Sequence, residues 1–428
     1  VRYSIEMKHW FNKSLEKLQV YTKTDLRYVM HGGFWTVINY GTQIGIGIIT
    51  TIALANILPK EALGMYQFIL AAAGIIGVFT LTGLGTAITR AVAQGHQGVL
   101  RSGVRTKLKW SLGVIAVAFA LAGYYEYNGN TDLAIAFIIV GICTAITESF
   151  ILYESYLTGK KAFKDTVTLG LWRKPLPAIA LLTTLYFTTH VPTLIGAYLG
   201  ATMISTLLVY VAVIKKYRPP RVDNPETVAY GKQLSIMKFF QQAAAHADKV
   251  LLWYLLGPIA VASFTIAQLA TRYSGGLAGI LSHIALPKVV QRDLPTLQTT
   301  LPRKVGLFTL AIIPFMVAYI LAVPFIFDLL FPQYPESIPL AQTLGLLFLF
   351  IPCSVFGQTL VAHKQTRALY LLSTIIPITK LALMFLTIII FGIWGAVYAL
   401  IFNGALETIA GWYFFKTARP AVPTAAAR

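Results

Sequence analysis

Residues 41–90 read GTQIGIGIITTIALANILPKEALGMYQFILAAAGIIGVFTLTGLGTAITR, and the fold is decided here. The stretch belongs to two apolar runs, 33–57 and 65–89, joined by the connection 58–64, in which Lys60 is the sole cation. Crossing the hydrocarbon of a bilayer takes about 20 apolar residues of helix. Two such runs around a tight polar turn read as a transmembrane hairpin, because a lone segment in lipid can satisfy its own backbone groups only as a helix.

Outward from this hairpin the pattern repeats. Further runs occupy 110–129, 133–158, 166–188, 192–214, 233–256, 259–283, 304–330, 338–361, 368–391 and 394–415, for about twelve spans in all. The chain has 428 residues, of which only 12% are charged. That is half of the roughly 25% typical of soluble domains, and it points to an all-α polytopic membrane protein. Cys143 and Cys353 both lie inside apolar runs and suggest neither a disulfide framework nor a metal site.

The formal charge of +19 has two readings, a nucleic-acid surface or the positive-inside rule, and placement separates them. Basic residues crowd the regions 8–27, 90–109, 160–164, 215–232, 288–304, 364–367 and 416–419. The alternate connections hold Lys60 and no other cation. The charge is therefore a topology signal, with both termini expected in the cytoplasm and no nucleic-acid partner. Residues 1–32 mix lysines with Trp10, Phe11, Leu15 and Leu18 and read as an interfacial amphipathic helix. A six-helix lobe is expected over 33–214, a cytoplasmic linker over 215–232, a second six-helix lobe over 233–416 and a disordered tail over 417–428.

A weak internal repeat supports the two lobes. Leu58-Pro59-Lys60-Glu61-Ala62-Leu63-Gly64-Met65-Tyr66 matches Leu256-Gly257-Pro258-Ile259-Ala260-Val261-Ala262-Ser263-Phe264, and Arg90 matches Lys288 at nearly the same offset. Two similar bundles about a central cavity are the architecture of an alternating-access transporter. The connections opposite the basic ones are too short to hold an external domain, so whatever the chain does happens within the bundle. No GxxxxGK[ST], HExxH or GxSxG motif is present.

A charge at the centre of a span costs roughly 2.5–3.5 kcal/mol on insertion scales, so each one needs a reason. Glu154 and Lys238 lie near the cytoplasmic face and can snorkel, and Asp328 is near the opposite end. Arg173, Lys174, Lys249, Arg272 and Lys380 lie deep, as do Glu148, Asp248 and Glu407. Pro175 and Pro177 should break the helix just beyond Lys174. Asp248–Lys249 and Lys380–Glu407 can be read as neutralising pairs that hold helices together. His246, beside Asp248, is a candidate proton-coupling group, or else a buried hydrogen-bonded histidine, and Glu148, Asp248 and Glu407 are further candidates for coupling to a proton or sodium ion. The deep cations still outnumber the acids, which suits a water-filled cavity for an anionic group such as a diphosphate. The Gly196-xxx-Gly200 spacing reads as close helix packing.

Four stretches resemble the polysaccharide transporter (O-antigen flippase, Wzx-like) branch of the multidrug/oligosaccharidyl-lipid/polysaccharide exporter superfamily. They are Gly41-Thr42-Gln43 leading into the Pro59 to Tyr66 turn; Leu81 to Arg90 with Gly83; Asp248-Lys249-Val250-Leu251-Leu252 through Gly257 to Ala267; and Leu329 to Tyr334 with Ser337. Pro332 stands where the family usually has glycine. The resemblance implies two lobes about a V-shaped cavity and movement of undecaprenyl-diphosphate-linked oligosaccharide between leaflets, without a cofactor or catalysis. It also implies membrane lipids and polysaccharide-assembly proteins as partners. Only Asp248 and Arg90 carry over by motif position; the other charged candidates rest on the charge argument. A cation-coupled drug antiporter and a membrane-embedded glycan-processing enzyme remain as alternatives.

Overall fold

The computed structural model describes residues 26–220, 224–272, 293–363 and 365–418. Within them every regular element is a helix. The first half of the chain contributes α1 (Leu26–Ile57), α2 (Lys60–Ile76), α3 (Leu84–Ala93), α4 (Val99–Tyr127), α5 (Thr131–Phe150), α6 (Leu152–Gly159), α7 (Phe163–Arg173), α8 (Pro175–Phe187) and α9 (Val191–Tyr217). The second half contributes α10 (Pro225–Leu256), α11 (Pro258–Ala267), α12 (Leu269–Arg272), α13 (Leu294–Leu330), α14 (Ser337–Leu344), α15 (Ser354–Ala362), α16 (Thr366–Phe391) and α17 (Ile393–Thr417). Short 3₁₀ segments, Gly77–Thr80 and Gly345–Phe350, follow α2 and α14.

Among the described residues nine helical stretches are long and apolar enough to cross a membrane, where the sequence suggests about twelve. The three that fall short have identifiable causes. The run 166–188 is cut in two where Pro175 begins α8 directly after Lys174. Helix α10 is long enough but carries Lys238, His246, Asp248 and Lys249, which dilute its apolar character. The run 259–283 opens with α11 and α12, and its remainder, with Lys288 of the repeat, lies outside the described residues. The three stretches that fall short carry Arg173, Lys174, Asp248, Lys249 and Arg272, whereas Glu148, Lys380 and Glu407 lie in stretches apolar enough to cross.

Several boundaries differ from the sequence expectation. The linker shortens to the few residues between Tyr217 and Asn224, because the Asn224 side chain accepts from the Thr227 N–H at 3.0 Å and Pro225 occupies the first helical position. Helix α1 already includes Leu26; the rest of the expected amphipathic segment lies outside the described residues, as does the tail from 419. Helix α4 starts at Val99, so Lys107 is buried in a helix rather than set in a loop. Gly200 meets nothing within 4 Å and Gly196 meets Ile139 at an ordinary 3.5 Å, so this spacing does not mark a close approach.

The two halves meet along a seam in which α2 packs on α10 and α11 and α3 packs on α10, with α10 running antiparallel to α2. A Cβ on Gly64 would lie 1.9 Å from the Pro258 carbonyl oxygen, so only glycine permits the contact between the two repeat-related helices. Farther along, Phe68 stacks on Trp253 with ring centroids 4.4 Å apart. Gly74 faces the His246 ring, the Gly83 N–H donates to Ser235 Oγ at 3.0 Å, and Arg90 lies over the Tyr230 ring.

The ends of the bundle differ. At the end bearing the short connections, one hydrophobic cluster runs through both halves, from Leu54, Leu63 and Phe68 to Phe264, Phe327 and Tyr334. Toward the basic end the core of the described residues divides into separate clusters, one around Leu84, Tyr153 and Val213 and one around Leu297, Phe356 and Phe415.

Candidate functional site

Beside the seam lies a cavity of about 680 Å³. Its walls come mainly from the first half: a face of α1 (Tyr40, Gln43, Thr50, Thr51), α2 (Tyr66, Gln67), the break between α7 and α8 (Arg173, Lys174) and α9 (Tyr198, Thr202). The second half adds His246 and Lys249 from α10 and Arg272 from α12. The α1 positions recur at the three- and four-residue spacing of one helical face.

Proline places the central charges. Pro175 lacks an N–H and cannot continue the α7 hydrogen-bond ladder, so Arg173 and Lys174 stand at an interruption in the cavity wall. Arg173 Nη2 donates to Glu154 Oε1 at 2.7 Å, while its Nε is buried without a partner. Lys174 Nζ donates to Gln43 Oε1 at 3.3 Å, tying α8 to α1. Arg272 is exposed to the cavity and forms no ion pair among the described residues.

Lys249 and Asp248 form a buried pair at 3.8 Å. Gln268 bridges them, accepting from Lys249 Nζ at 3.5 Å and donating from Nε2 to Asp248 Oδ2 at 3.4 Å. Behind α10, Lys380 of α16 donates to the Ala244 carbonyl at 2.7 Å and acts electrostatically on Asp248. His246 is wedged against Gly74, where a Cβ would come within 2.6 Å of the ring.

The deep charges do not all converge. Arg173, Lys174, Lys249, Arg272 and His246 line the cavity; Lys380, Glu407 and Glu148 do not. Lys380 and Glu407 make no ion pair among the described residues, since the Lys380 ammonium is directed at the backbone of α10 instead. Glu148 is engaged from α4 by Lys107, which reaches its carbonyl at 2.7 Å and its carboxylate at 3.3 Å. Asp248 is buried next to the cavity wall rather than in it. Glu154, assigned by its depth to the interface, lines the cavity as its acid. A partner for Arg173 nineteen residues away could have been sought because the chain turns back between the two residues at Lys160 and Lys161. Gly64, Gly83 and Arg90 belong to the seam and Pro59 precedes the first residue of α2, whereas Tyr66 reaches the cavity, as do Gln43 and Lys249 of the other motif stretches. Among the described residues no cluster of His, Cys, Asp and Glu is arranged to hold a metal ion.

The fold has solved counterparts. The chain is similar to the lipid II flippase MurJ in an inward closed conformation, at 15% identity and TM-score 0.69, covering 89% of this chain and 87% of that one. It is also similar to an inward-facing multidrug resistance MATE family transporter of the MOP superfamily, at 13% identity and TM-score 0.65 over 90% and 97% of the two chains. A MOP superfamily transporter from Pyrococcus furiosus, described as having a binding pocket of reverse polarity, aligns with TM-score 0.60 and 13% identity over 91% and 96%. At these identities the likeness is one of fold. No curated protein matches the sequence. The family model described as polysaccharide biosynthesis protein matches residues 29–291, more than half of the chain. The chain is therefore a multi-pass membrane protein of the MATE/MOP fold that belongs to the polysaccharide biosynthesis protein family.

Proposed function

We propose that this protein is a flippase that moves a polyprenyl-diphosphate-linked oligosaccharide from the cytoplasmic to the outer leaflet of a bacterial inner membrane. The observation that carries the reading is the charge of the cavity, whose wall holds Arg173, Lys174, Lys249 and Arg272 against Glu154. A diphosphate offers only acceptor oxygens and negative charge, and guanidinium and ammonium groups match both. An antiporter for organic cations would want the opposite balance. Membership of a polysaccharide biosynthesis family supports the same substrate class.

In this reading the twelve spans form two lobes and the basic end faces the cytoplasm. Among the described residues the core is continuous across the halves at the short-connection end and divided at the basic end, which favours entry of the head group from the cytoplasm. The prenyl tail stays in lipid. Moving negative charge outward is favoured by an inside-negative potential, by about 2.3 kcal/mol per charge per 100 mV, so no nucleotide hydrolysis is needed. Asp248 and His246 are the candidates nearest the cavity for coupling to a cation. Polysaccharide-assembly proteins would supply and consume the lipid.

The test is reconstitution in liposomes with a fluorescent undecaprenyl-diphosphate glycan, scoring the label that becomes accessible on the opposite leaflet. Protein-dependent translocation is expected, rising with membrane potential and reduced at least tenfold in Arg272→Ala. Absence of translocation, together with proton-driven uptake of a cationic dye, would replace this reading with the drug antiporter.

A further inference from the structure

The cavity has two chemically different levels. Arg173, Lys174 and Arg272 lie about four helical turns in from the short-connection ends of their spans. Tyr66, Gln67, Thr50, Thr51 and Tyr198 lie only about two turns in. The side chain of Lys249 reaches the second level too, but its charge is balanced there by Asp248. The deeper level is cationic and the shallower one is neutral and polar.

The hydrogen-bonding sense of the neutral level is specific. Thr50 Oγ1 already donates to the Ile46 carbonyl at 2.8 Å, and Thr51 Oγ1 to Gly47 at 2.7 Å. A hydroxyl has one proton, so what these threonines offer the cavity is acceptor lone pairs. Such a wall repels phosphate oxygens and welcomes groups that donate. Gln67 is 7% exposed, and its side-chain amide has no protein partner among the described residues. Tyr66, 2% exposed, likewise makes no side-chain hydrogen bond among the described residues and lines the cavity beside the Tyr198 ring. Buried amides and hydroxyls are nearly always hydrogen-bonded, so these two await water or a ligand.

We infer that the neutral level is a sugar subsite, in which Tyr66 and Gln67 read the hydroxyl or acetamido groups of the first sugar while the cationic level holds the diphosphate. Sugars carry the donors that the threonine oxygens need and the acceptors that the glutamine amide needs. The inference rests on the flippase reading and adds to it the orientation of the substrate: the sugar points toward the short-connection end and the diphosphate toward the basic end. Tyr66 and Gln67 are then specificity-determining residues, separate from the cations that hold the shared diphosphate.

The test measures binding by the full chain in nanodiscs. The probes are bare undecaprenyl diphosphate and the same lipid bearing one glucose, galactose or N-acetylglucosamine residue. The wild type is expected to bind at least one glycosylated probe about tenfold tighter than the bare lipid. Tyr66→Phe and Gln67→Met, which preserve volume, should erase that preference and leave bare-lipid affinity in place, which also reports that the variants are folded. Lys174→Gln and Arg272→Gln should weaken bare and glycosylated probes by the same factor. A sugar preference that survives in both Tyr66→Phe and Gln67→Met, or no preference in the wild type, overturns the subsite while the flippase stands. Failure of the wild type to bind any of the probes overturns the flippase reading, and the subsite with it.

Discussion

At the scale of single residues, the Asp248–Lys249 pair with its Gln268 bridge places two charges in the interior of the bundle. Two opposite charges inside a membrane protein roughly cancel their desolvation only while both are present. Removing one partner of such a buried pair typically costs about 3–5 kcal/mol, whereas replacing both with neutral groups of similar shape is often close to neutral. Asp248→Asn alone should therefore lower the melting temperature in detergent more than the double change Asp248→Asn with Lys249→Met. Equal losses in the two variants would show that the pair is not a closed electrostatic unit. Lys380 reinforces the expectation, since with Asp248 neutralised it and Lys249 would be left as adjacent like charges.

At the scale of elements, glycine decides how closely the halves approach, and two positions separate stability from function. On Gly64 an added methyl would collide with the backbone of Pro258, which has little freedom to retreat; on Gly74 it would collide with the His246 ring, which can swing toward the cavity. Overpacking a tight contact typically costs about 1–3 kcal/mol. Gly64→Ala is expected to lower thermal stability by at least that much. Gly74→Ala should cost less in stability and more in transport, because the displaced imidazole intrudes on the cavity. Gly200→Ala, in a helix interior with open space around it, serves as the comparison, expected to be neutral or to gain up to about 1 kcal/mol over the wild type. Thermal unfolding and liposome transport, run side by side on the three variants, check the ranking.

At the scale of the whole molecule, the short-connection end is closed by polar bonds between the halves. Lys60 Nζ donates to Glu336 Oε1 at 2.6 Å, the Asn56 amide donates to the Leu330 carbonyl at 2.8 Å, and the hydroxyls of Tyr125 and Tyr254 meet at 2.7 Å. Partial burial pushes the Glu336 carboxyl up, but hydrogen bonds from Lys60, its own backbone and Ser263 outweigh this and hold it below its ordinary value of 4.5. A carboxylate with a lowered value stabilises the bonded state above its unbonded value and loses that contribution as pH falls through the lowered one. The closure should therefore be insensitive to pH near neutrality and loosen on acidification below about 4.5. Distances between spin labels at Tyr127 and Phe391 would report it. In Lys60→Met the distance distribution should already be broader at pH 7 and change less with acid; an acid response equal to that of the wild type would remove Glu336 from the closure.

Class and helical hairpins were legible along the chain, because apolar length and backbone satisfaction in lipid are local properties. The run from Gly41 to Arg90 already contains them, and Pro175 announces the break beside Lys174. What only the tertiary structure decided is direction around each helix and which neighbour stands there. Lys380 and Arg272 are equally deep, yet one is turned to the backbone of α10 and the other into the cavity. Glu154, nearer an end, is brought inside because α6 and α7 fold back on each other and deliver it to Arg173. The seam of α2 against α10 joins residues more than 150 positions apart, a contact that no local pattern encodes and that the close approach at Gly64, Gly74 and Gly83 makes possible.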